Sequence, residues 1–133
     1  MNPELIAKAG TEHAHQAALF CWAQQNQAKW PQLAMMFAIP NGGARDGRTA
    51  ARLKVEGVKA GVPDIFFPYP SKQYHGLFIE LKRPKSDGKS VGKVADNQKS
   101  WHDYLNSKNY LTITCYGYLQ AIDEIVKYLD CSF

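Results

Sequence analysis

The chain lacks most features that would assign it to a class at once. It has three cysteines in 133 residues, Cys21, Cys115 and Cys131, and none forms a Cys-x-x-Cys pair. A disulfide framework or a structural zinc site needs more thiols at closer spacing. The cysteines are therefore expected to be reduced and mostly buried. The opening residues, MNPELIAKAG, contain no apolar run of the kind that marks a secretory leader. Nowhere do apolar residues approach the roughly 20 needed to cross a bilayer. These absences point to a cytoplasmic location with no membrane association. Repeats and low-complexity linkers are missing too, so residues 1–133 are expected to fold as one domain.

What is present suits a folded chain. Hydrophobic residues make up 45% and charged residues 21%, a balance that a disordered segment does not have. The length suffices for a core without cross-links. The formal charge is only +4, but its placement is uneven. Lys82, Arg83, Lys85, Lys89, Lys93 and Lys99 face only Asp87 and Asp96 over the same stretch. A second basic run holds Arg45, Arg48, Arg52, Lys54 and Lys59. Most such runs are solvated faces; these are also compatible with a polyanionic partner.

Periodicity divides the chain into alternating elements. Apolar residues Ala14, Ala17, Ala18, Cys21 and Trp22 predict a helix over 11–29, capped by Thr11 and ended by Trp30-Pro31. Met35–Ile39 reads as a short buried strand, broken by Pro40-Asn41-Gly42-Gly43. Residues 47–59 predict a basic helix that frays at Gly57 and Gly61. The β-prone run after Asp64 and the segment 76–82 predict a hairpin around a turn at 71–75. Residues 83–95 read as an exposed loop. Asp96 is expected to cap a helix with Gln98, Trp101 and Leu105 on one side. Then follow a strand over 110–116 and an amphipathic helix over 119–129, with Ile122, Ile125, Val126 and Leu129 inward. An α/β fold results, a central mixed sheet flanked by helices.

The chemistry concentrates in the hairpin. Glu80 and Lys82 are two apart on a strand and so share a face, while Leu81 points to the other layer. Pairing of the strands brings Asp64 beside Glu80. Two adjacent carboxylates repel unless a cation lies between them or one takes a proton. Hard divalent cations, Mg²⁺ or equally Mn²⁺, suit such oxygen ligands. A metal held there grips a phosphate oxygen and activates water, and Lys82 can hold that water and offset charge on phosphorus. The spacing is also met by chance in unrelated chains, and a glycosidase-like carboxylate pair is an alternative. Lys82 and the basic loop after it favour phosphate chemistry. The four histidines are not expected to bind metal: His13 and His15 diverge on their helix, His75 lies in a turn and His102 on a helix surface. Trp22, Trp30 and Trp101 read as core. Tyr69 and Tyr74, at the hairpin tip, are candidates for contact with an unpaired base.

Gly61-Val62-Pro63-Asp64, then Phe78-Ile79-Glu80-Leu81-Lys82-Arg83-Pro84, then Gln98 with Trp101, resemble the VRR-NUC nucleases of the PD-(D/E)xK superfamily. The two blocks in this order are specific, and the resemblance runs from the first helix through the last strand. It implies a restriction-endonuclease-like core. It also implies that Asp64, Glu80 and the Leu81 carbonyl ligate metal, and that Lys82 is the catalytic lysine. Glu12 would approach the metal from the first helix, and Gln98 would orient Lys82 or a phosphate. Asn41 would touch substrate. With Arg45, Arg48, Arg83, Lys85, Lys89 and Lys93 it completes the expected nucleic-acid contacts. The implied activity is Mg²⁺- or Mn²⁺-dependent cleavage of DNA, with small stand-alone members resembling Holliday junction resolvases. Branched DNA is then the expected substrate, and a homodimer the expected assembly, because a four-way junction needs two symmetric cuts. A non-cleaving nucleic-acid-binding module of the same fold is the alternative.

Overall fold

The computed structural model describes residues 1–40, 47–84 and 94–130. Asn41, Arg45, Lys85, Lys89 and Lys93, assigned above to nucleic-acid contact, lie outside the described residues, as does Cys131.

In chain order the elements are α1 (Pro3–Ala7), α2 (Glu12–Gln25), a 3₁₀ turn (Pro31–Met35), β1 (Phe37–Ala38), α3 (Gly47–Val55), β2 (Ile65–Phe67), β3 (Leu77–Lys82), α4 (Asp96–Ser107), β4 (Leu111–Tyr116) and α5 (Tyr118–Asp130). The strands form one sheet in the order β1-β2-β3-β4. The first three run antiparallel, and β4 returns parallel to β3 after crossing through α4. This is the mixed sheet flanked by helices that the periodicities imply.

Strand alternation sorts the side chains into two layers. Leu77, Ile79 and Leu81 of β3, with Ile65 and Phe67 of β2, are buried with Cys115 of β4. Against them pack Ala18, Leu19 and Ala23 of α2, and Ala121, Ile125 and Leu129 of α5. Alanines on α2 let that helix approach both the sheet and α5 closely. Burial pushes the Cys115 thiol up to about 12, so it stays an inert core thiol. Phe78, Glu80 and Lys82 point to the opposite layer, beneath α4. Among the described residues no helix is long and apolar enough to cross a membrane.

Several boundaries depart from the periodicity, each for a local reason. α1 went unrecognised because its five residues are too short for a repeat. Asn2 caps it by accepting from Glu4 N–H at 2.9 Å. α2 stops at Gln25 instead of running to the proline, since Asn26 donates from its side chain to the Trp22 carbonyl at 2.8 Å and leaves helical geometry. The expected buried strand at 35–39 shrinks to an exposed two-residue edge strand. Ala95, not Asp96, takes the cap position of α4, and Gln98 Oε1 accepts its N–H at 2.9 Å. Tyr69 and Tyr74 are half-buried, with part of each packed against the core; the Tyr69 ring lies 5.8 Å from that of Phe67, and its carbonyl accepts from the Tyr128 hydroxyl at 2.6 Å.

His15 ties the helical layer to the end of the sheet. It is 7% exposed, and its Nδ1 accepts from Tyr118 N–H at 3.0 Å, just after Gly117 turns the chain with φ at 91°. That bond requires a neutral ring, and burial lowers its pKa below 6.5. A depressed histidine pKa contributes stability that is fully present above the unfolded value and is lost as pH falls through it toward the folded one. The His15 contribution should therefore be lost on acidification from about pH 7 to about pH 5, read as the difference in melting temperature between wild type and a variant that cannot titrate there. His15→Gln, which cannot titrate, should be less stable at neutral pH but show a flatter acid limb in the same melts. Parallel curves for the two proteins would contradict this.

Candidate active site

Register builds the site. Ile65 stands opposite Ile79 in the antiparallel β2–β3 pair, so Asp64, one residue earlier, stands opposite Glu80. Asp64 Oδ2 accepts the Leu81 N–H at 2.7 Å, which fixes its carboxylate to the backbone between Glu80 and Lys82. Pro63, fully buried, stiffens the entry to β2. Gly61 begins the same motif with φ at 89°, and a Cβ there would meet the Asn97 backbone at 2.9 Å. The Gly-Val-Pro-Asp block thus lets the first turn of α4 seat directly beside the hairpin.

Glu80 and Lys82 are 2% and 8% exposed, an unusual depth for charged side chains. Burial, then the hydrogen bond with Asp64 and its negative charge, push the Glu80 carboxyl up to about 9; Lys82 opposes the shift and Glu12 adds to it. Lys82 Nζ donates to Gln98 Oε1 at 3.3 Å, and the same oxygen holds Ala95 N–H. Gln98 is thereby fixed at the helix start and presents a ready acceptor to the ammonium.

His102, expected on the outer surface of its helix, turns inward instead. Its side chain is 14% exposed, and Nε2 lies 3.8 Å from Glu80 Oε1. That is too long for a hydrogen bond, and neither atom has another partner. Burial lowers the His102 pKa, a shift that Asp103 opposes and Lys82 reinforces. The sequence held one signal for it: His102 is four residues after Gln98, on the same face of α4.

Asp64, Glu80, Lys82 and Gln98 therefore converge, joined by His102. Glu12, the exposed first residue of α2, is near enough for its charge to act on Glu80. Among the described residues no group of three or more His, Cys, Asp or Glu side chains is placed to hold one ion. Arg48 is exposed on α3 and Arg83 half-buried after β3.

The donor chemistry fits a hard divalent cation. Glu80 Oε1 is a buried oxygen with no hydrogen-bond partner, beside a second carboxylate. Asp64, Glu80 and the Leu81 carbonyl would supply oxygen alone, and the shortage of protein ligands suits an ion such as Mg²⁺ that keeps several waters.

The raised Glu80 pKa has a measurable sign. Without metal, the folded protein keeps a proton that the unfolded chain releases near 4.5. The resulting stability is complete below that pH and is lost as pH rises through about 9. Melts in EDTA should show this decline between about pH 4.5 and about pH 9 and a levelling above it, and Glu80→Gln should abolish most of it. An unchanged slope over that range in the variant would refute the assignment.

Comparison with known proteins agrees with this geometry. A solved structure described as a VRR_NUC domain protein superposes with a TM-score of 0.73, at 28% identity, over 92% of this chain and 90% of that one. No curated protein matches the chain. The family model for the VRR-NUC domain matches residues 6–119, from α1 to the start of α5, with both motif blocks and α4 inside the match. The chain belongs to the VRR-NUC family of nucleases.

Proposed function

We propose that residues 1–133 form one Mg²⁺- or Mn²⁺-dependent endodeoxyribonuclease domain, selective for branched DNA such as Holliday junctions and active as a homodimer. The observation that carries the catalytic part is the burial of Glu80 and Lys82 on one strand face, with half-buried Asp64 opposite Glu80. Solvated charges would not be buried to 2% and 8%.

Asp64, Glu80 and the Leu81 carbonyl, with Glu12 contributing negative charge nearby, would hold the divalent ion, which when bound would supply Lewis-acid chemistry at the scissile phosphate. The Lys82 ammonium donates to the attacking water and places positive charge where the phosphorane oxygens become more negative. The water oxygen bonds to phosphorus and gives up a proton to solvent, the P–O bond to the leaving sugar breaks with its electron pair, and the departing oxygen takes up a proton from solvent. Gln98 keeps the Lys82 ammonium aimed. His102 is a positioning residue: its neutral Nε2–H restrains Glu80 once that carboxylate is ionised. Arg48 and Arg83, with Asn41, Arg45, Lys85, Lys89 and Lys93, contact the DNA backbone.

Supercoiled plasmid and synthetic junctions incubated with Mn²⁺, with and without EDTA, test the reading directly. Glu80→Ala should lower cleavage by at least about a hundredfold while DNA binding in Ca²⁺ survives. Lys82→Ala should lose turnover yet keep metal affinity in calorimetry. Near wild-type cutting by Glu80→Ala would refute the site, and DNA binding without cleavage under any metal would favour a non-cleaving module.

The dimer has a separate measurement. Two copies related by a two-fold axis place two sites on a symmetric junction, whereas one site cuts one strand. Light scattering at micromolar concentration should give twice the chain mass, free or on a junction. A monomeric mass in both states would remove the junction-resolving part and leave a nicking or flap-cutting nuclease.

A further inference from the structure

The sheet face that carries Asp64, Glu80 and Lys82 continues into a row of aromatic rings. Phe78 shares the face of Glu80 by alternation. Phe66 stands opposite Phe78, and Phe37 opposite Phe66, across β3, β2 and β1. The Phe66 and Phe78 rings stack at 4.3 Å. Phe37 meets Phe66 edge-on at 5.7 Å, and Tyr110 meets Phe78 edge-on at 5.5 Å. A Cβ at Gly76 would approach the Phe66 ring to 2.8 Å, so that glycine makes room for the row. The rings touch one another but are not covered. Phe37 is 48% exposed, while Phe66, Phe78 and Tyr110 are half-buried.

Two facts identify what covers them. α4 closes the β4 side of this face, through Gln98 to Lys82, His102 beside Glu80, and Asn106 Oδ1 accepting from Thr112 N–H at 3.0 Å. A strand whose phosphate reaches Asp64 and Glu80 from the side away from α4 comes across β2 and β1, over the rings. The Phe66–Phe78 pair also lies two residues along the strands from Asp64–Glu80, about 7 Å, the scale of one step along an extended nucleic-acid strand. The row itself carries no Lys, Arg, Asp or Glu. A duplex backbone is gripped by cations, whereas a base out of the stack presents its π-face to a ring.

We infer that Phe37 and Phe66, backed by Phe78 and Tyr110, form a platform on which an unpaired base beside the scissile phosphate stacks. The favoured substrate is then DNA with a single-stranded or unpaired nucleotide next to the cut. This rests on the nuclease reading above and narrows its substrate.

Exposed Phe37 allows a test that leaves the fold intact, checked by melting. Binding is measured by fluorescence anisotropy in Ca²⁺, which suppresses cleavage, on an oligo-dT strand and on a duplex of equal length. Phe37→Leu should weaken single-strand binding by about fivefold to about a hundredfold, the loss of one base–aromatic stack. It should leave duplex binding within about twofold, and Phe37→Trp should keep wild-type affinity for both. Equal losses on both DNAs, or none, would overturn the platform while wild-type cleavage left the nuclease reading standing. Conversion of a dimer to a monomer by Phe37→Leu would assign the rings to a second copy instead. Wild-type protein that neither binds nor cuts any DNA would overturn both.

Discussion

Everything distinctive in this molecule depends on holding two carboxyls side by side in a dry place. The β2–β3 register sets half-buried Asp64 against buried Glu80, and the burial of Glu80 limits screening by water. Charge repulsion in low dielectric would separate them if both were ionised. The surroundings meet that cost in three ways: the Leu81 N–H neutralises part of Asp64, Lys82 counters both, and a proton on Glu80 removes one charge. In the proposed metal-dependent mechanism a divalent ion would replace the proton, so its binding would release one.

The helices follow from that constraint. α4 must lie close enough for Gln98 to reach Lys82, and a glycine at position 61 permits it. α2 and α5 bury the other face of the same strands, so Leu77, Ile79 and Leu81 anchor β3 while its alternate residues carry chemistry. His15 locks α2 to the turn after β4. A strand with one face in the core and the other in the site cannot slip register without exchanging the two.

The hairpin was legible in the sequence because its pattern is local: Glu80 and Lys82 are two apart, and a turn-rich stretch returns the chain to Asp64. Helices α2, α4 and α5 were legible through their apolar spacing, and so was their place around a mixed sheet. His102 was not, because a histidine on a helix looks the same whether it faces water or a carboxylate; only the packing of α4 decides. The partial burial of Tyr69 and Tyr74 was not legible either, since it arises from packing of the hairpin tip on the distant core. The extent of β1 depends on pairing with distant Ile65 and Phe66, which no local periodicity encodes.

The brevity of β1 has its own consequence. A sheet ending in a long bare strand offers a template to any other extended chain, and such edges promote aggregation. Here the outer strand has two residues, Ile39 N–H is already taken by the Asp64 carbonyl at 2.7 Å, and Pro40, which has no N–H to offer, follows. Backbone-to-backbone extension at this edge is therefore poorly supported. At this edge, copies of this chain that associate are left to do so through side chains, where sequence can choose the partner.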